Sequence, residues 1–315
     1  MSRITGAIIA FLLLGFVLSA CGSSPGPGAS QSDRLQVVAT TTIVGDVVRS
    51  VGGENVEVEI LLPAGTDPHS FDPTPQDVAK VARAEVVFAN GAGLEEFLEP
   101  MLENAGGKAE VVYFSDGIQL LEAPDLHAGQ PEPESEEEHA DGDPHTWFDP
   151  NNVILWTQTI QSKLSALDPA HAQAYAANAQ EYQAQLRDLD AWIREQVARV
   201  PEAGRQMVTD HDSFTYFAAR YGFTLVGAVI PGYSSMAQPS AQELASLEDA
   251  IRSLQVKAIF VGEAVNPVLS QRVAQDTGTQ LVYLYTESLT EPEGPASNYL
   301  DFMRFNVSAI VEALQ

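Results

Sequence analysis

The stretch PAHAQAYAANAQEYQAQLRDLDAWIREQVARV, residues 169–200, contains no glycine and is rich in alanine, glutamine, glutamate, leucine and arginine. These residue types favour the α-helix. Asp168-Pro169 predicts the cap and first turn of this helix, and Pro201 predicts its end. A helix of about thirty residues would be roughly 45 Å long, which exceeds the length of an ordinary crossover helix. We therefore predict one long rigid helix, at 169–200, that joins two lobes.

A coiled-coil arm is the alternative interpretation of this stretch. Its heptad seam would consist of small side chains that pack weakly, namely Ala172, Ala176, Ala177, Ala179 and Ala184. The flanking sequence favours the connection between lobes, because short β-branched runs alternate with helical patterns both before and after the long helix.

The predicted strands are 35–40, 56–62, 85–90, 109–113, 206–210, 223–229, 256–261 and 280–285. The predicted shorter helices lie near 43–52, 75–84, 95–105, 213–221, 240–254 and 267–277. Alternating strands and helices form parallel sheets with helices on both faces, so the predicted fold class is α/β. We expect two lobes, at 35–168 and 201–315, each a parallel-rich β-sheet flanked by helices.

The N-terminus predicts a secretion signal. Arg3 precedes an uncharged run that ends in Leu18-Ser19-Ala20-Cys21, and this run is short for a membrane span. Leu-Ser-Ala-Cys resembles a bacterial lipoprotein signal, in which residues 1–20 are removed and Cys21 is lipidated. An ordinary signal cleaved nearby is the alternative. Residues 21–34 lack large apolar side chains after the cysteine, and we expect a flexible tether that holds the lobes outside the cell membrane.

The chain is strongly acidic, since 43 acidic and 16 basic residues give a formal net charge of −27. This charge disfavours nucleic acid and anionic membrane surfaces as partners, and it favours cationic ligands. With one cysteine, the chain forms no internal disulfide.

An acidic low-complexity segment at 127–143 contains seven acids together with His127 and His139. Such a composition buries too little apolar surface to order itself, and we expect a mobile loop in the first lobe. The two histidines make auxiliary metal capture one interpretation of this loop. A solvated run of charge is the other.

A seven-residue phrase occurs twice in the first predicted lobe. Asp67-Pro68-His69-Ser70-Phe71-Asp72-Pro73 recurs, with one residue inserted, as Asp143-Pro144-His145-Thr146-Trp147-Phe148-Asp149-Pro150. The proline before each histidine restricts the backbone. The Asp-Pro pair after each histidine predicts the cap and first turn of a new helix. Each phrase therefore holds an imidazole on a stiff loop, as a metal ligand requires.

The second lobe offers two further candidate ligands. His211 follows the strand 206–210 and Glu287 follows the strand 280–285, at the strand ends where parallel sheets bind ligands. We expect Asp212 or Ser213 to cap the next helix, whose positive end would keep His211 neutral. Other carboxylates nearby compete with Glu287, namely Glu263, Glu291 and Glu293. Two ligands from each lobe would meet across a cleft.

These motifs resemble the metal-binding solute receptors of ATP-binding cassette (ABC) importers, the zinc and manganese receptors with a long helix between two lobes. The resemblance covers about 35–315 and includes the runs 62–69, 90–95 and 143–145, the His-Asp-Ser-Phe-x-Tyr-Phe run at 211–217 and Tyr-Thr-Glu-Ser at 285–288. It implies that His69, His145 and His211 match the first three ligand positions and Glu287 the fourth. Many relatives have aspartate at the fourth position. The resemblance also implies an ABC permease as the partner.

Three imidazoles and one oxygen suit four-coordinate zinc, whereas manganese prefers more oxygen ligands. Manganese receptors of this family often have a carboxylate where this chain has His211. We therefore expect a monomeric zinc receptor, with a manganese or iron receptor as the alternative. A metallohydrolase would use the three histidines with Glu287 as general base, but the sequence has no His-Glu-x-x-His helix and no nucleophile elbow. A metal-binding adhesin and a metal chaperone are further alternatives.

Overall fold

The computed structural model describes residues 34–106, 109–122 and 142–315. The predicted signal at 1–20, the lipidated Cys21, the tether up to residue 33, and His127 and His139 lie outside the described residues. Within the described ranges, no helix is both long enough and apolar enough to cross a membrane.

The first lobe is built on a four-stranded parallel sheet with the strand order β2-β1-β3-β4. Its strands are β1 (Leu35–Ala39), β2 (Val56–Ile60), β3 (Val86–Ala89) and β4 (Glu110–Tyr113), and its helices are α1 (Thr42–Gly52), α2 (Pro75–Arg83) and α3 (Leu98–Ala105). The second lobe repeats this order as β6-β5-β7-β8. Its strands are β5 (Gln206–Thr209), β6 (Thr224–Ala228), β7 (Ala258–Gly262) and β8 (Gln280–Leu284), and its helices are α6 (Thr215–Tyr221), α7 (Ala241–Leu254), α8 (Val268–Thr277) and α9 (Tyr299–Leu314). Two further helices, α4 (Pro150–Leu167) and α5 (Ala172–Val197), connect the lobes.

The predicted fold class is confirmed: all eight predicted strands and all six shorter helices are present. Helix α9 was not predicted, and only the start of α4 was. The linking helix is shorter than predicted, with 26 residues and a length of about 39 Å. It begins after a 3-10 turn at Pro169–His171, because Asp168 ends α4 and its carboxylate accepts hydrogen bonds from the His171 ring and the Tyr175 hydroxyl.

Helix α5 is a packed strut and not a coiled-coil arm. Its buried residues recur every three or four positions along one face, as expected for a helix on a protein core. They are Tyr175, Ala179, Tyr182, Leu186, Leu189, Ile193 and Val197. This face belongs to a single apolar cluster that also contains Phe88 of the first sheet and Phe260 of the second. The two lobes therefore share one core.

Residues alternate between this shared core and an outer layer along the strands of both sheets. Val86 and Phe88 face the shared core, whereas Val87 packs in the outer cluster under α2 and α3. In the second sheet, Phe260 faces the shared core, whereas Ile259 packs in the outer cluster under α7 and α8. Because both faces of the central strands β3 and β7 are covered, these strands are continuous apolar runs, as is typical of parallel sheets. Only the carboxyl ends of the strands remain available for polar chemistry.

The shared core predicts that the lobes unfold together. Leu186→Ala on α5 should lower the free energy of unfolding by about 2–5 kcal/mol, because it leaves a cavity among fully buried side chains. The change should appear in a single cooperative transition followed by circular dichroism during denaturant unfolding. Arg187→Ala, at the exposed neighbouring position, is the matched control and should change the free energy by less than about 0.5 kcal/mol. Two separate transitions, with only one of them shifted, would contradict the shared core.

Candidate metal centre

The four candidate ligands lie together where the carboxyl ends of the two sheets meet. His69 lies in a 3-10 turn between β2 and α2, and His145 directly precedes the turn that leads into α4. His211 follows β5, and Glu287 follows β8. One possible ligand atom from each side chain lies within 4.8 Å of the other three. The competing carboxylates Glu263, Glu291 and Glu293 are exposed and lie outside this cluster.

Four of the six distances between the candidate ligand atoms are close to those around a tetrahedral ion. The Nε2 atom of His145 lies 3.4 Å from Nε2 of His69 and 3.2 Å from Nε2 of His211. Oε1 of Glu287 lies 3.3 Å from Nε2 of His211 and 3.6 Å from Nε2 of His145. Ligands bonded at 2.0–2.1 Å at the corners of a tetrahedron lie about 3.3 Å apart. Three imidazole nitrogens and a carboxylate oxygen therefore converge at distances that one small cation can bridge.

Burial separates His69 from the other three ligands. His145 and His211 are 0% exposed and Glu287 is 2% exposed, whereas His69 is partly exposed. Among the described residues, neither oxygen of Glu287 has a hydrogen-bond donor. A buried carboxylate without donors is costly unless a positive charge lies beside it. The chemistry of this donor set therefore fits a divalent metal ion.

Two aspartates orient the buried histidines. Oδ1 of Asp143 lies 2.6 Å from Nδ1 of His145, and Oδ1 of Asp210 lies 2.9 Å from Nδ1 of His211. A proton held at Nδ1 leaves the Nε2 lone pair free for a ligand, which is the usual arrangement around histidines that bind metals. Asp210 is fixed in turn by the backbone N–H of Gly262, 2.7 Å from its Oδ2. Neither aspartate was predicted from the sequence, although each precedes its histidine by only one or two residues.

The turn at residues 90–95 holds the segment around His145. Nδ2 of Asn90 donates to the carbonyl oxygen of Pro144 at 2.7 Å, and Oδ1 of Asn90 accepts from the hydroxyl of Thr146 at 3.2 Å. The buried Glu95 accepts the N–H of Asn90 and the hydroxyl of Thr40, at 2.8 and 2.6 Å. Burial raises the pKa of the Glu95 carboxyl, and these donors oppose that shift. The motif at 90–95 therefore braces the candidate ligand His145, which lies more than fifty residues after Asn90 in the chain.

The family model described as "Zinc-uptake complex component A periplasmic" matches residues 37–313, nearly all of the described chain. The chain belongs to this family. The resemblance inferred from the motifs is thereby confirmed.

Three known proteins are similar to this chain over about nine tenths of its length or more. "Manganese-binding lipoprotein MntA" of Halalkalibacterium halodurans is 31% identical over 305 residues, which cover 96% of each chain. The Mn-bound periplasmic metal binding protein from Candidatus Liberibacter asiaticus is 27% identical with a TM-score of 0.77, over 90% of this chain and 100% of that one. The periplasmic zinc binding protein TroA from Treponema pallidum is 25% identical with a TM-score of 0.78, over 89% and 99%.

The two Asp-Pro-His copies share one local bond but differ in how the next helix begins. In each copy the aspartate Oδ1 accepts the backbone N–H of the histidine, at 2.9 Å in the first and 2.8 Å in the second. The predicted cap is found in the second copy, where Asp149 caps α4. It is wrong for Asp72 in the first copy, because the Thr74 hydroxyl and the Asp77 carboxylate form a reciprocal capping box at the start of α2 instead. The cap predicted after His211 is also wrong, since α6 begins after Phe214 without a side-chain cap.

The electrostatics of the site differ from the prediction of a neutral His211. Burial lowers the pKa of His211, but the carboxylates of Asp210 and Glu287 outweigh burial and raise it well above its usual value. Burial lowers the pKa of His69 to about 3, aided by the charges of the other two histidines. Burial raises the pKa of Glu287, but the neighbouring imidazoles outweigh it and bring the pKa to about 2. Without a metal ion, the carboxylates beside His211 therefore favour the protonated form of its ring.

Nitrogen-15 NMR of the imidazole rings tests this charge distribution in metal-free protein. At pH 7, His211 should show the shifts of an imidazolium and His69 those of a neutral ring. As the pH rises, His211 should lose its proton well above 6.5, and His69 should stay neutral down to about pH 4. Glu287→Gln should lower the pKa of His211, since it removes one of the two carboxylates that raise it. A His211 ring that is neutral at pH 7 would contradict the assignment.

Proposed function

We propose that the chain is the extracytoplasmic receptor of a metal importer, which captures a divalent ion between its lobes and delivers it to an ABC-type membrane permease. The observation that carries the proposal is the cluster of His69, His145, His211 and Glu287, in which all but His69 are buried and the carboxylate has no hydrogen-bond partner recorded among the described residues. Family membership supports it, since the matching model is described as a zinc-uptake component. The names of the three relatives, each called a metal-binding protein, support it further.

Zinc is the ion that we propose for this site. Imidazole nitrogen suits zinc, whereas manganese prefers carboxylate, carbonyl and water oxygens, and this site offers three nitrogens and one carboxylate. The distances from His145 to His69 and to His211, and from Glu287 to His211, are 3.4, 3.2 and 3.3 Å and agree with four-coordinate zinc. The competing candidate is manganese, because the relatives from Halalkalibacterium and Liberibacter are called manganese-binding or Mn-bound.

We propose a binding protein and not a hydrolase. Four protein ligands complete a tetrahedral shell and leave no open position for an activated water molecule. The ion is therefore transported cargo and not a catalytic cofactor, and the protein has to bind it and release it.

The organisation of the whole chain follows from this role. We propose that residues 1–20 are a lipoprotein signal, that Cys21 carries the lipid and that residues 21–34 tether the lobes to the outer side of the membrane. The name of the Halalkalibacterium relative, a lipoprotein, supports this arrangement. We further propose that the receptor is a monomer with the lobes at 35–168 and 201–315, linked through 169–200.

Removal of a ligand tests the site directly. Loss of a residue that merely orients a ligand costs 10–100-fold in metal affinity, so His145→Ala should weaken zinc binding by more than about 100-fold. The matched control is His171→Ala, at an exposed histidine that pairs with Asp168 outside the site. It should bind zinc as the wild type does.

Native mass spectrometry measures how many metal ions each of these proteins carries and which metal it retains. Wild type should carry one zinc ion, and should retain zinc when equal amounts of zinc and manganese are offered. Retention of manganese under those conditions would favour the manganese receptor. One zinc ion on His145→Ala, held as tightly as on the wild type, would exclude His145 as a ligand.

The shared core also limits how far the lobes separate. Small-angle X-ray scattering should show a nearly unchanged radius of gyration when zinc is added, because α5 and the continuous core resist a wide hinge opening. Protein with zinc removed by a chelator serves as the reference state. A contraction of several ångströms on zinc addition would show that the lobes close as rigid bodies.

A further inference from the structure

We infer that Ser235 and Ser288 are positioning residues that fasten the His69 segment, residues 65–69, across the cleft and set the rate at which the bound ion leaves. The inference rests on the proposed function, and it assigns the release step to particular hydrogen bonds. Each bond joins the segment in the first lobe to the second lobe: Ser288 lies on the loop of Glu287, and Ser235 lies on a loop that is bonded to the segment of His211.

The first bond runs through the carboxylate of Asp67. Its Oδ1 accepts the backbone N–H of His69 at 2.9 Å, and its Oδ2 accepts the hydroxyl of Ser235 at 2.5 Å. Asp67 is 9% exposed, so little water competes for these bonds. A hydrogen bond to a carboxylate is among the stronger ones in proteins. The position of the His69 backbone is therefore linked directly to a side chain of the opposite lobe.

The loop that carries Ser235 is itself tied to the segment of His211. The N–H of Gly232 donates to Oδ2 of Asp212 at 2.8 Å, and the N–H of Asp212 donates back to the carbonyl of Gly232 at 2.9 Å. Two residues before Gly232, Ile230 donates its N–H to the carbonyl of Asp210 at 2.7 Å. The path from His69 through Asp67 and Ser235 thus ends on the backbone beside His211.

The second bond holds the other end of the segment. Oγ of Ser288, the residue after Glu287, accepts the N–H of Gly65 at 2.9 Å and donates to the carbonyl of Leu289 at 2.9 Å. The same oxygen lies 3.1 Å from the hydroxyl oxygen of Thr42, at the start of α1, and Thr42 accepts the N–H of Leu289 at 2.8 Å. Ser288 therefore joins the His69 segment to the loop of Glu287.

The segments of the other three ligands are held by more contacts than the hydrogen bonds of Ser235 and Ser288 provide. The segment of His145 is fixed by Asn90, by the bond of the Trp147 ring N–H to the carbonyl of Thr286 and by the Tyr299 hydroxyl. His211 and Glu287 are buried against the shared core. His69 is the ligand with partial exposure, and its segment crosses the cleft through the bonds of Ser235 and Ser288. The ion therefore leaves when this segment lifts, while the lobes stay in place.

The test measures zinc release from full-length protein into excess chelator by stopped-flow spectroscopy. Ser235→Ala should speed release about tenfold, the effect of losing one hydrogen bond to a charged group. Ser288→Ala should speed it about threefold to fivefold, because its bond is to a neutral N–H. Since the bonds lie at opposite ends of one segment, the release rate of the double variant should rise by roughly the product of the two single-variant factors. Association with zinc should stay within about twofold of wild type.

Two variants separate this role from a general loss of structure. Ser234→Ala changes the neighbouring hydroxyl, which accepts only from the nearby N–H of Met236 in the described contacts, and should release zinc at the wild-type rate. Ser235→Thr keeps the hydroxyl and should restore slow release. Wild-type release from Ser235→Ala, or faster release from Ser234→Ala by the same factor, would overturn the inference.

Metal binding by the wild-type chain tests the proposed function, whereas the release rates of the variants test the role of Ser235 and Ser288. A wild-type chain that binds no zinc or manganese contradicts the metal receptor itself. A wild-type chain that binds one ion, with variants that release it at an unchanged rate, overturns only the role of Ser235 and Ser288. A lower melting temperature of the metal-free variants with unchanged release would likewise overturn it, because that pattern marks a purely structural bond.

Discussion

The carboxylate of Glu287, buried without a hydrogen-bond donor among the described residues, is the constraint around which the two lobes are arranged. An isolated buried carboxylate is strongly unfavourable, so a positive charge has to lie beside it. The carboxylates of Asp210 and Glu287 raise the pKa of His211 and so favour a proton on its ring, and a divalent ion would supply more positive charge than that proton. Since a bound ion displaces this proton, protons and metal compete for the same four side chains.

Holding such a site requires rigid surroundings, and the shared core provides them. The ligands come from four separate segments, two in each lobe, and any relative movement of the sheets would spread them apart. Helices α4 and α5 together with α1 and α9 fill the space between the sheets with one continuous apolar cluster. Close-packed interiors deform little. The relative positions of the candidate ligands therefore also depend on core side chains such as Leu186 of α5.

Sequence patterns predicted the architecture and the four converging side chains, because both leave short-range signals. Alternating runs mark the strands, and histidines placed at strand ends mark the site. The wrong predictions concern helix caps and the pKa of His211. These depend on which of several nearby donors and acceptors forms the hydrogen bond or ion pair. Thr74 displaced Asp72 as the cap of α2 because Asp77 completes a reciprocal box with it. The pKa of His211 is raised because the carboxylates of Asp210 and Glu287 outweigh burial, and the approach of Glu287 depends on tertiary structure. Helix α9 carries its apolar residues into a core that exists only after both lobes form.

The repeated phrase shows how one motif serves two kinds of ligand. Both copies turn the backbone with the same bond from histidine N–H to aspartate Oδ1. In the second copy Asp143 also holds the ring of His145, and the capped helix α4 comes next, so that ligand is rigid. In the first copy the other oxygen of Asp67 turns away from its own histidine and bonds Ser235 across the cleft. A carboxylate that orients a ring in one copy thus becomes a breakable link between lobes in the other. A receptor that must both hold and release its cargo needs this asymmetry, because four equally rigid ligands would trap the ion.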